Sequence, residues 1–419
     1  MSAERKTTAR QSCDVLVAGG GFVGLTLALA LAKLMGPEFH IALVDAERLD
    51  ASSLGRADAR ASALSAGTVH FLQALGVWRT LKDKAQPFIS IEITDSPLDA
   101  RLRPHLVGFD AELQSGEPGA VMVENADLRR ALAEAVLAEP TIEIISPDSV
   151  TSFAVTGLAV VATLASGSEI EARLLVAADG KRSRLREQAG IKCVSWSYPQ
   201  NGIVTTVAHS KPHHGKAVQH FLPSGPFAIL PLKGNRSSIV WSEEKGRAAE
   251  IMAGDEASFL AELTRRFGEH LGTIELADPR QAFPLDFQIA RRFVSDRFVL
   301  IGDAAHAVHP LAGQGLNIGM RDVAALAEIV VEGARLGLDI GSPVLLERYE
   351  RWRRFDSALS ATMMDSLNRL FSNDSAPLRV LRDLGLGIVD RAPPLKRFFV
   401  REAAGLTGKV PRLLKGELP

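Results

Sequence analysis

The sequence predicts an α/β fold. A discontinuous unit built on a parallel sheet is interrupted by an antiparallel sheet and followed by a helical C-terminal region. Three observations predict it: the strand–turn–helix start "CDVLVAGGGFVGLTLALALAK", alternating strands from about Ser195 to Ala290, and a second strand–turn–helix, "RFVLIGDAAHAVHPLAGQGLNIGMRDVAAL". A βαβ opening, an antiparallel middle and a return to strand and helix describe a chain that leaves one unit, builds another and comes back.

Length and composition agree with this plan. A chain of 419 residues exceeds what one hydrophobic core serves, so two or more packed units are expected. With 46% hydrophobic and 23% charged residues the composition is that of a soluble globular protein. The net charge of −1 provides no global field for nucleic acid, and no nucleic-acid partner is expected. Cys13 and Cys193 stand far apart in no metal-like spacing, which points to a reducing, cytoplasmic compartment without a disulfide framework. The basic "SAERKTTARQ" precedes an uncharged run from Val15 to Ala32, which by hydropathy alone resembles a signal peptide or membrane span. The interruption "GGGFVG" argues otherwise, because three glycines make a poor helix interior. A buried strand, a tight turn and a buried helix explain the same hydropathy.

In that opening, Val15 to Val17 form a strand and Gly19-x-Gly21-x-x-Gly24 enters the helix, with Phe22 and Val23 between the last two glycines. The first glycine permits the turn, the second lets backbone approach a pyrophosphate, and the third lets helix pack on strand. The helix start adds free N–H groups and about half a positive charge. "HIALVDAE" supplies a second strand ending at Asp45, an acid placed to accept hydrogen bonds from an adenosine ribose. A glycine-rich turn without a ligand is the plainer alternative, and the fingerprint alone does not separate FAD from NAD.

Further along, "AGTVHFLQALGVWRTL" has helical periodicity and closes near Pro87. "ISIEITDS" and "AVMVE" read as strands, and "NADLRRALAEAVLAE" as an amphipathic helix with Asn125 or Asp127 as N-cap. The short segments "TIEII", "SFAVT", "LAVVATLAS" and "RLLVAAD" are β-rich. "GIVTTVAHS", "KAVQHFLP", "PFAILPL" and "SSIVWSE" then alternate as an antiparallel sheet with one buried face, and "DEASFLAELTRRFGEHL" is a helix beside it. The expected division is 1–85, 115–190 and 285–340 for the nucleotide-binding unit and 86–114 with 191–284 for the sheet unit. Residues 341–419 form the helical remainder, punctuated by Pro377, Pro393, Pro394 and Pro411.

In "IGDAAHAVHPLAGQGLN", Asp303, His306 and His309 recur at three-residue spacing, which could suggest a metal site or a relay. An all-protein metal site needs ligands converging on one point, which one glycine-punctuated turn rarely provides. No metal is expected, and the two histidines read as turn and packing residues.

Three motifs, "GGGFVG", "LLVAADGKRSRLRE" and the long run from Arg297, occur in this order. Together they resemble the class A flavoprotein aromatic hydroxylases of p-hydroxybenzoate hydroxylase type. With the tail "RLFSNDSAPLRVLRDLGL" they look closest to the ubiquinone-biosynthesis FAD-dependent hydroxylases. The likeness spans roughly Cys13 to Asp390.

The resemblance implies a Rossmann-like, discontinuous FAD-binding domain with an inserted antiparallel β-sheet substrate domain and a helical C-terminus. It implies that Gly19, Gly21, Phe22, Val23, Gly24 and Asp45 hold the ADP half of FAD, with Arg60 and Asn125 near the cofactor. Asp179 and Gly180, followed by Ser183 and Arg186, match a motif associated with FAD and NAD(P)H. Asp303 would take the ribityl hydroxyls. Pro310, Gly313, Gln314, Gly315, Leu316 and Asn317 would lie beside the isoalloxazine, the helix beginning near Leu316 aiming its N-terminus at the pyrimidine. Plainer readings make Arg60 a surface cation and Asp179 a helix cap.

The activity implied is NAD(P)H-dependent hydroxylation of an aromatic ring by O2 through a flavin C4a-hydroperoxide, on a polyprenylated phenol or quinol. The cofactor carries the difficult chemistry. No catalytic residue is named by the sequence; His220 is conceivable as the base that ionises the phenol, and a packed strand histidine is the plainer reading. A lipid substrate implies a soluble enzyme working at the inner face of the membrane, within a multi-enzyme biosynthetic complex. Residues 391 to 419 carry seven Lys or Arg against two Glu, with Phe398, Phe399, Leu413 and Leu414 interspersed, which suits an anionic leaflet. A solvated terminal helix explains the tail equally well. A catabolic hydroxylase of small aromatic acids and a non-catalytic flavin-binding scaffold are the alternatives.

Overall fold

The computed structural model describes residues 11–50, 58–95, 98, 105–308, 314–371 and 392–419. The first sheet runs in the order β18 (Val294–Ser295), β19 (Phe298–Leu300), β11 (Glu169–Ala177), β1 (Gln11–Ala18), β2 (Ile41–Val44), β8 (Ile142–Ile145). From β19 to β8 the strands are parallel, and the hairpin β9 (Val150–Thr156)–β10 (Ala159–Leu164) adds to β11 antiparallel. Strands covered on both faces read as continuous aliphatic runs, and Val15, Leu16, Val17 and Leu174 to Val176 are wholly buried. Helix α1 (Phe22–Met35) is buried from Gly24 to Ala32. The hydropathic run of the N-terminus is therefore a strand and a helix divided by a glycine turn. Among the described residues no helix is long and apolar enough to cross a membrane.

The second sheet has nine strands. Its path is β20 (His306–Ala307), β17 (Gln281–Ala290), β12 (Cys193–His209), β15 (Arg236–Glu244), β14 (Gly225–Leu232), β13 (Lys216–Leu222), β5 (Ser90–Asp95), β6 (His105–Asp110), with β16 (Ile274–Leu276) also on β12. All pairs are antiparallel except β13 with β5. One face is covered by α6 (Lys245–Ala253) and α7 (Glu256–Phe267), whose Phe259, Leu263 and Phe267 pack on Ile203, Phe227, Ile239 and Trp241. Burying each such side chain contributes about 1.5–3 kcal/mol. The division expected between 284 and 285 falls inside β17, which carries the sheet six residues further, to Ala290.

A small third sheet, β3 (Ala61–Ser65)–β7 (Ala120–Glu124)–β4 (Gln86–Pro87), joins the halves. Its Ala63 and Met122 cluster with Phe88 and with Ala217 and Leu232 of the nine-stranded sheet.

Several helix ends differ from expectation. The periodic run after residue 65 is two helices, α2 (Ala66–Ala74) and α3 (Trp78–Leu81), because Gly76 turns with φ +76° between them. The amphipathic helix α4 (Asn125–Leu137) starts on Asn125 itself; Glu124 occupies the cap position, and neither Asn125 nor Asp127 is the cap. Ser183, not Asp179, caps α5 (Arg184–Gln188), accepting from the Arg186 N–H at 3.0 Å. Then follow α8 (Gln314–Arg335), α9 (Pro343–Phe371) and α10 (Pro393–Ala403).

The tail is only partly a surface. Leu413 and Leu414, in the single turn Arg412–Lys415, are core residues packed with α2 and α8, so two of the four apolar residues expected against a membrane are spent inside the fold. The Gly67 N–H donates to Ala404 O at 3.0 Å, and the Arg412 N–H to Glu328 Oε2 at 2.8 Å. Phe398 and Phe399 remain 54% and 37% exposed.

Candidate active site

Four strand ends set the site. Leu300, Ala177, Ala18 and Val44 are aligned across β19, β11, β1 and β2, so the residues that follow them share one sheet edge. These are Asp303, Asp179, the Gly19–Gly24 turn and Asp45. In an open parallel sheet this edge, outside the carboxyl ends of the strands, is where a ligand crevice forms.

Within the turn, Gly19 has φ +113°, and a Cβ there would lie 2.3 Å from Ala178 O; one on Gly24 would lie 1.9 Å from Gly19 O. Gly21 is different, since a Cβ there would meet nothing within 4 Å. Backbone at Gly21 thus borders open space just where α1 begins with its unpartnered N–H groups. Asp45 accepts from the Gly20 N–H and, at 2.7 Å, from the Glu47 N–H. The acid at the end of β2 therefore shapes the turn as well as facing the crevice. Phe22 and Val23 are half-buried. Val23 presses on Gly302 and Gly319, where a Cβ would come within 2.9 and 2.7 Å of it, and so draws α1, the strand-end turn and α8 together.

Asp303 sits in the single turn Gly302–Ala304 directly after β19. Its side chain is accessible, yet desolvation by the protein around it raises its pKa, opposed by the charges of His306, Lys181 and Arg60. Asp179 is likewise accessible and likewise pushed up by burial, with the Ser183 hydrogen bond opposing. Two accessible acids along this strand-end edge are placed to meet hydroxyl donors.

Arg60 is held by Asp58, with Nε donating to Oδ1 at 2.9 Å and Nη2 to Oδ2 at 2.8 Å. Burial raises the Asp58 carboxyl, but the Arg60 hydrogen bonds outweigh it and the net shift is downward. The guanidinium lies 5.5 Å from the Phe283 ring of the nine-stranded sheet. Asn125 joins the same group: its N–H donates to Arg60 O at 3.0 Å, and its Oδ1 accepts from Ser62 Oγ at 2.7 Å.

At the start of α8, Gly315 borders open space and Leu316 packs on the core. The Asn317 amide is buried, donating to Ala63 O at 2.8 Å and accepting from the Ser65 N–H at 2.9 Å and Thr68 Oγ1 at 2.8 Å. That side chain docks α8 onto β3 and α2. The helix begins at Gln314, two residues before the expected start. His309, Pro310 and Gly313 lie outside the described residues, as does the Gln314 side chain.

Some site residues carry weak sequence signals or none. Lys181 is ion-paired with Asp286, joining the turn after β11 to β17. Arg186 donates to Ala304 O at 2.9 Å and to Lys181 O at 3.1 Å, tying two strand-end turns together. Both cations stand in "DGKRSRLRE", but nothing local marks Asp286 or Asp58. His306 turns away from Asp303 to Asp322, and among the described residues no group of three metal-ligating side chains gathers.

A crevice with a glycine turn, open backbone at Gly21 and Gly315, and accessible acids fits an extended dinucleotide. The sequence profile of the FAD binding domain family matches residues 12–359. The chain belongs to this FAD-binding family. Its cofactor is FAD, and the family is one of flavin-dependent hydroxylases. Ubiquinone hydroxylase UbiL of Rhodospirillum rubrum is 44% identical over 414 residues, covering 98% of this chain and 94% of that protein. The 3-demethoxyubiquinol 3-hydroxylase of Escherichia coli is 35% identical over 399 residues, covering 94% of this chain and 99% of that one. Among solved structures, p-nitrophenol 4-monooxygenase PnpA of Pseudomonas putida DLL-E4 superposes with a TM-score of 0.78 at 20% identity. That match covers 95% of this chain and 99% of the other, and it is a likeness of fold.

Proposed function

We propose that this chain is an FAD-dependent monooxygenase that hydroxylates the aromatic ring of a polyprenylated phenol in ubiquinone biosynthesis, using NAD(P)H and O2. The observation that carries the reading is the alignment of four strand ends, which gathers the glycine turn, Asp45, Asp179 and Asp303 at one edge. Two relatives named for ubiquinone or ubiquinol hydroxylation, each covering more than nine-tenths of the chain, support the substrate class.

FAD, when bound, supplies the activation of oxygen and its transfer to the ring. The protein binds, orients and shields. The Gly19–Gly24 turn and the start of α1 would hold the pyrophosphate, Asp45 the adenosine ribose and Asp303 the ribityl hydroxyls. The first turn of α8 would place partial positive charge beside the flavin, stabilising negative charge there. Arg60 and Lys181 add positive charge at the crevice, and both act on Asp303. The nine-stranded sheet, tied to the strand-end turns by Lys181–Asp286 and lying against Arg60 through Phe283, would shield the reacting atoms from water. Tyr198, Leu285 and Phe287, with Trp196, Ile289 and Val308 packed against them, form an apolar cluster on the nine-stranded sheet. An apolar boundary of this kind favours a lipid-like ring over a small aromatic acid.

Phe398 and Phe399, exposed on α10 beside Arg397 and Arg401, support contact with an anionic leaflet from which such a substrate would be drawn.

The test is aerobic turnover with NAD(P)H and either a prenylated phenol or p-hydroxybenzoate. The expected result is one oxygen atom added to the prenylated ring and no stimulated turnover with the acid. Cofactor oxidation without ring hydroxylation sinks the proposal.

A further inference from the structure

Behind the Gly302–Asp303 turn, on the side away from the crevice, lies a buried charged group that the flavin reading leaves unused. The Asp322 carboxylate, on α8, is 0% exposed. Its Oδ2 accepts from the Gly302 N–H at 3.0 Å and from His306 Nε2 at 2.6 Å, and its Oδ1 from Arg353 Nε at 2.8 Å. Three segments therefore end on one carboxylate: the turn after β19, the short strand β20, and α9.

Burial raises the Asp322 carboxyl, but His306 and Arg353 outweigh it and hold the group ionised. An ionised carboxylate only accepts, which assigns the Nε2 proton to the histidine. Arg353 is itself buried, and its remaining donors reach Asp356 and, at 3.1 Å, Ser357 Oγ. Charges taken out of water cost several kcal/mol each, and an apolar cluster of equal volume often serves stability as well or better. Such a group is thus a poor device for stability alone and a good one for fixing geometry.

What it fixes is specific. Gly302 has φ +58° and its N–H is tied to Asp322, so the turn has one conformation, and Asp303 is the next residue. Three residues further on, His306 leaves the same turn, pairing with Ile289 of β17 through its backbone and with Asp322 through its ring. The carboxylate thus grips the turn on both sides of Asp303. Tyr349 adds a parallel hold from α9, its hydroxyl donating to Leu300 O at 3.0 Å.

We propose that Asp322 and His306 are positioning residues for the ribityl seat: the carboxylate–imidazole pair aims Asp303 at FAD while touching no part of it. The proposal rests on the reading above that Asp303 receives the ribityl hydroxyls. ADP lacks the ribityl chain and is held by the β1–α1 turn and Asp45, so it reports on the other half of the site.

The full chain, stripped of FAD, is titrated calorimetrically with FAD and separately with ADP, for the wild type, His306→Ala, His306→Gln, Asp322→Asn, Asp303→Ala and the double variant His306→Ala/Asp303→Ala. FAD affinity is expected to fall about tenfold in His306→Ala, worth about 1.4 kcal/mol, with ADP affinity unchanged. Glutamine can still donate to Asp322, so His306→Gln regains most of the loss. In the Asp303→Ala background, His306→Ala has no further effect. Asp322→Asn follows His306→Ala if it folds; if it does not, the histidine pair decides alone. The proposal is overturned if FAD and ADP affinities fall together, if His306→Ala binds FAD like the wild type, or if the two single effects multiply in the double variant. If instead Asp303→Ala alone binds FAD normally, the placement of FAD is what fails.

Discussion

The parallel sheet and the nine-stranded sheet spend buried charge in opposite ways. In the parallel half, buried ions cluster at the strand ends: Asp322 with His306 and Arg353 behind one turn, and Arg186 across two others. In the nine-stranded half, a buried ion pair ties the helical cover to the sheet. Arg266 of α7 donates to Glu243 of β15 at 2.9 Å, and its guanidinium sits 4.2 Å from the Trp241 ring, beneath the helical cover. The first arrangement fixes loops that meet a ligand, and the second fixes a helix on a sheet. Similar chemistry thus serves placement in one half and packing in the other.

That distinction is open to attack, beginning with the largest expected effect. Arg266→Ala leaves Glu243 buried without its cation, which costs about 3–5 kcal/mol. Denaturant unfolding is expected to show that loss, while the FAD affinity of the folded protein stays at the wild-type value. A parallel fall in FAD affinity breaks the division between halves. Leu414→Ala opens a cavity against α2 and α8 and costs about 2–5 kcal/mol, read by the same unfolding curve. Here FAD is expected to restore part of the stability, because its site lies in the same half.

Asp303→Asn removes a charge from the crevice floor while keeping the side chain's shape. Hydrogen bonds to a charged group are worth about 1.5–3 kcal/mol, so FAD affinity should fall roughly ten- to a hundredfold with little change in unfolding. The smallest effect is one of pH. Asp322 and Asp339 have folded pKa values below the ordinary carboxyl value of 3.8: for Asp322 His306 and Arg353 outweigh burial, and for Asp339 the Arg297 hydrogen bond leads. A depressed carboxyl stabilises fully above its unfolded pKa, and that contribution fades as pH falls through the folded value. The stability gap between wild type and Asp322→Asn should therefore be constant from pH 7 to about 4 and narrow below it.

How much the sequence disclosed follows from distance along the chain. The glycine turn is legible because all its constraints fall within six residues, and Asp45 and Asp303 because each closes an aliphatic strand. The antiparallel middle showed itself by alternation, since one face of β12 to β15 lies under helices. Asp58, Asp286 and Asp322 did not stand out as site residues. Asp286 meets Lys181 across 105 positions and Asp322 meets Arg353 across 31, and no periodicity marks such pairs. Asn125 looked like a cap because a polar residue before an apolar run usually is one; here Ser62 of β3 and Arg60 just before that strand claim it. Leu413 and Leu414 looked amphipathic among basic residues, and only the groove between α2 and α8 shows that they are core.

The burial of Leu414 has a consequence for birth on the ribosome. Strand β11 is complete at Ala177, but its partner β19 begins only at Phe298, and the plug that seals α2 is made later still. At ordinary translation speeds of roughly 5–20 residues per second, β11 waits about 6–25 s for β19, and α2 about 17–70 s for its plug. Throughout that interval the nascent domain exposes an unfinished aliphatic edge, a natural handle for chaperones.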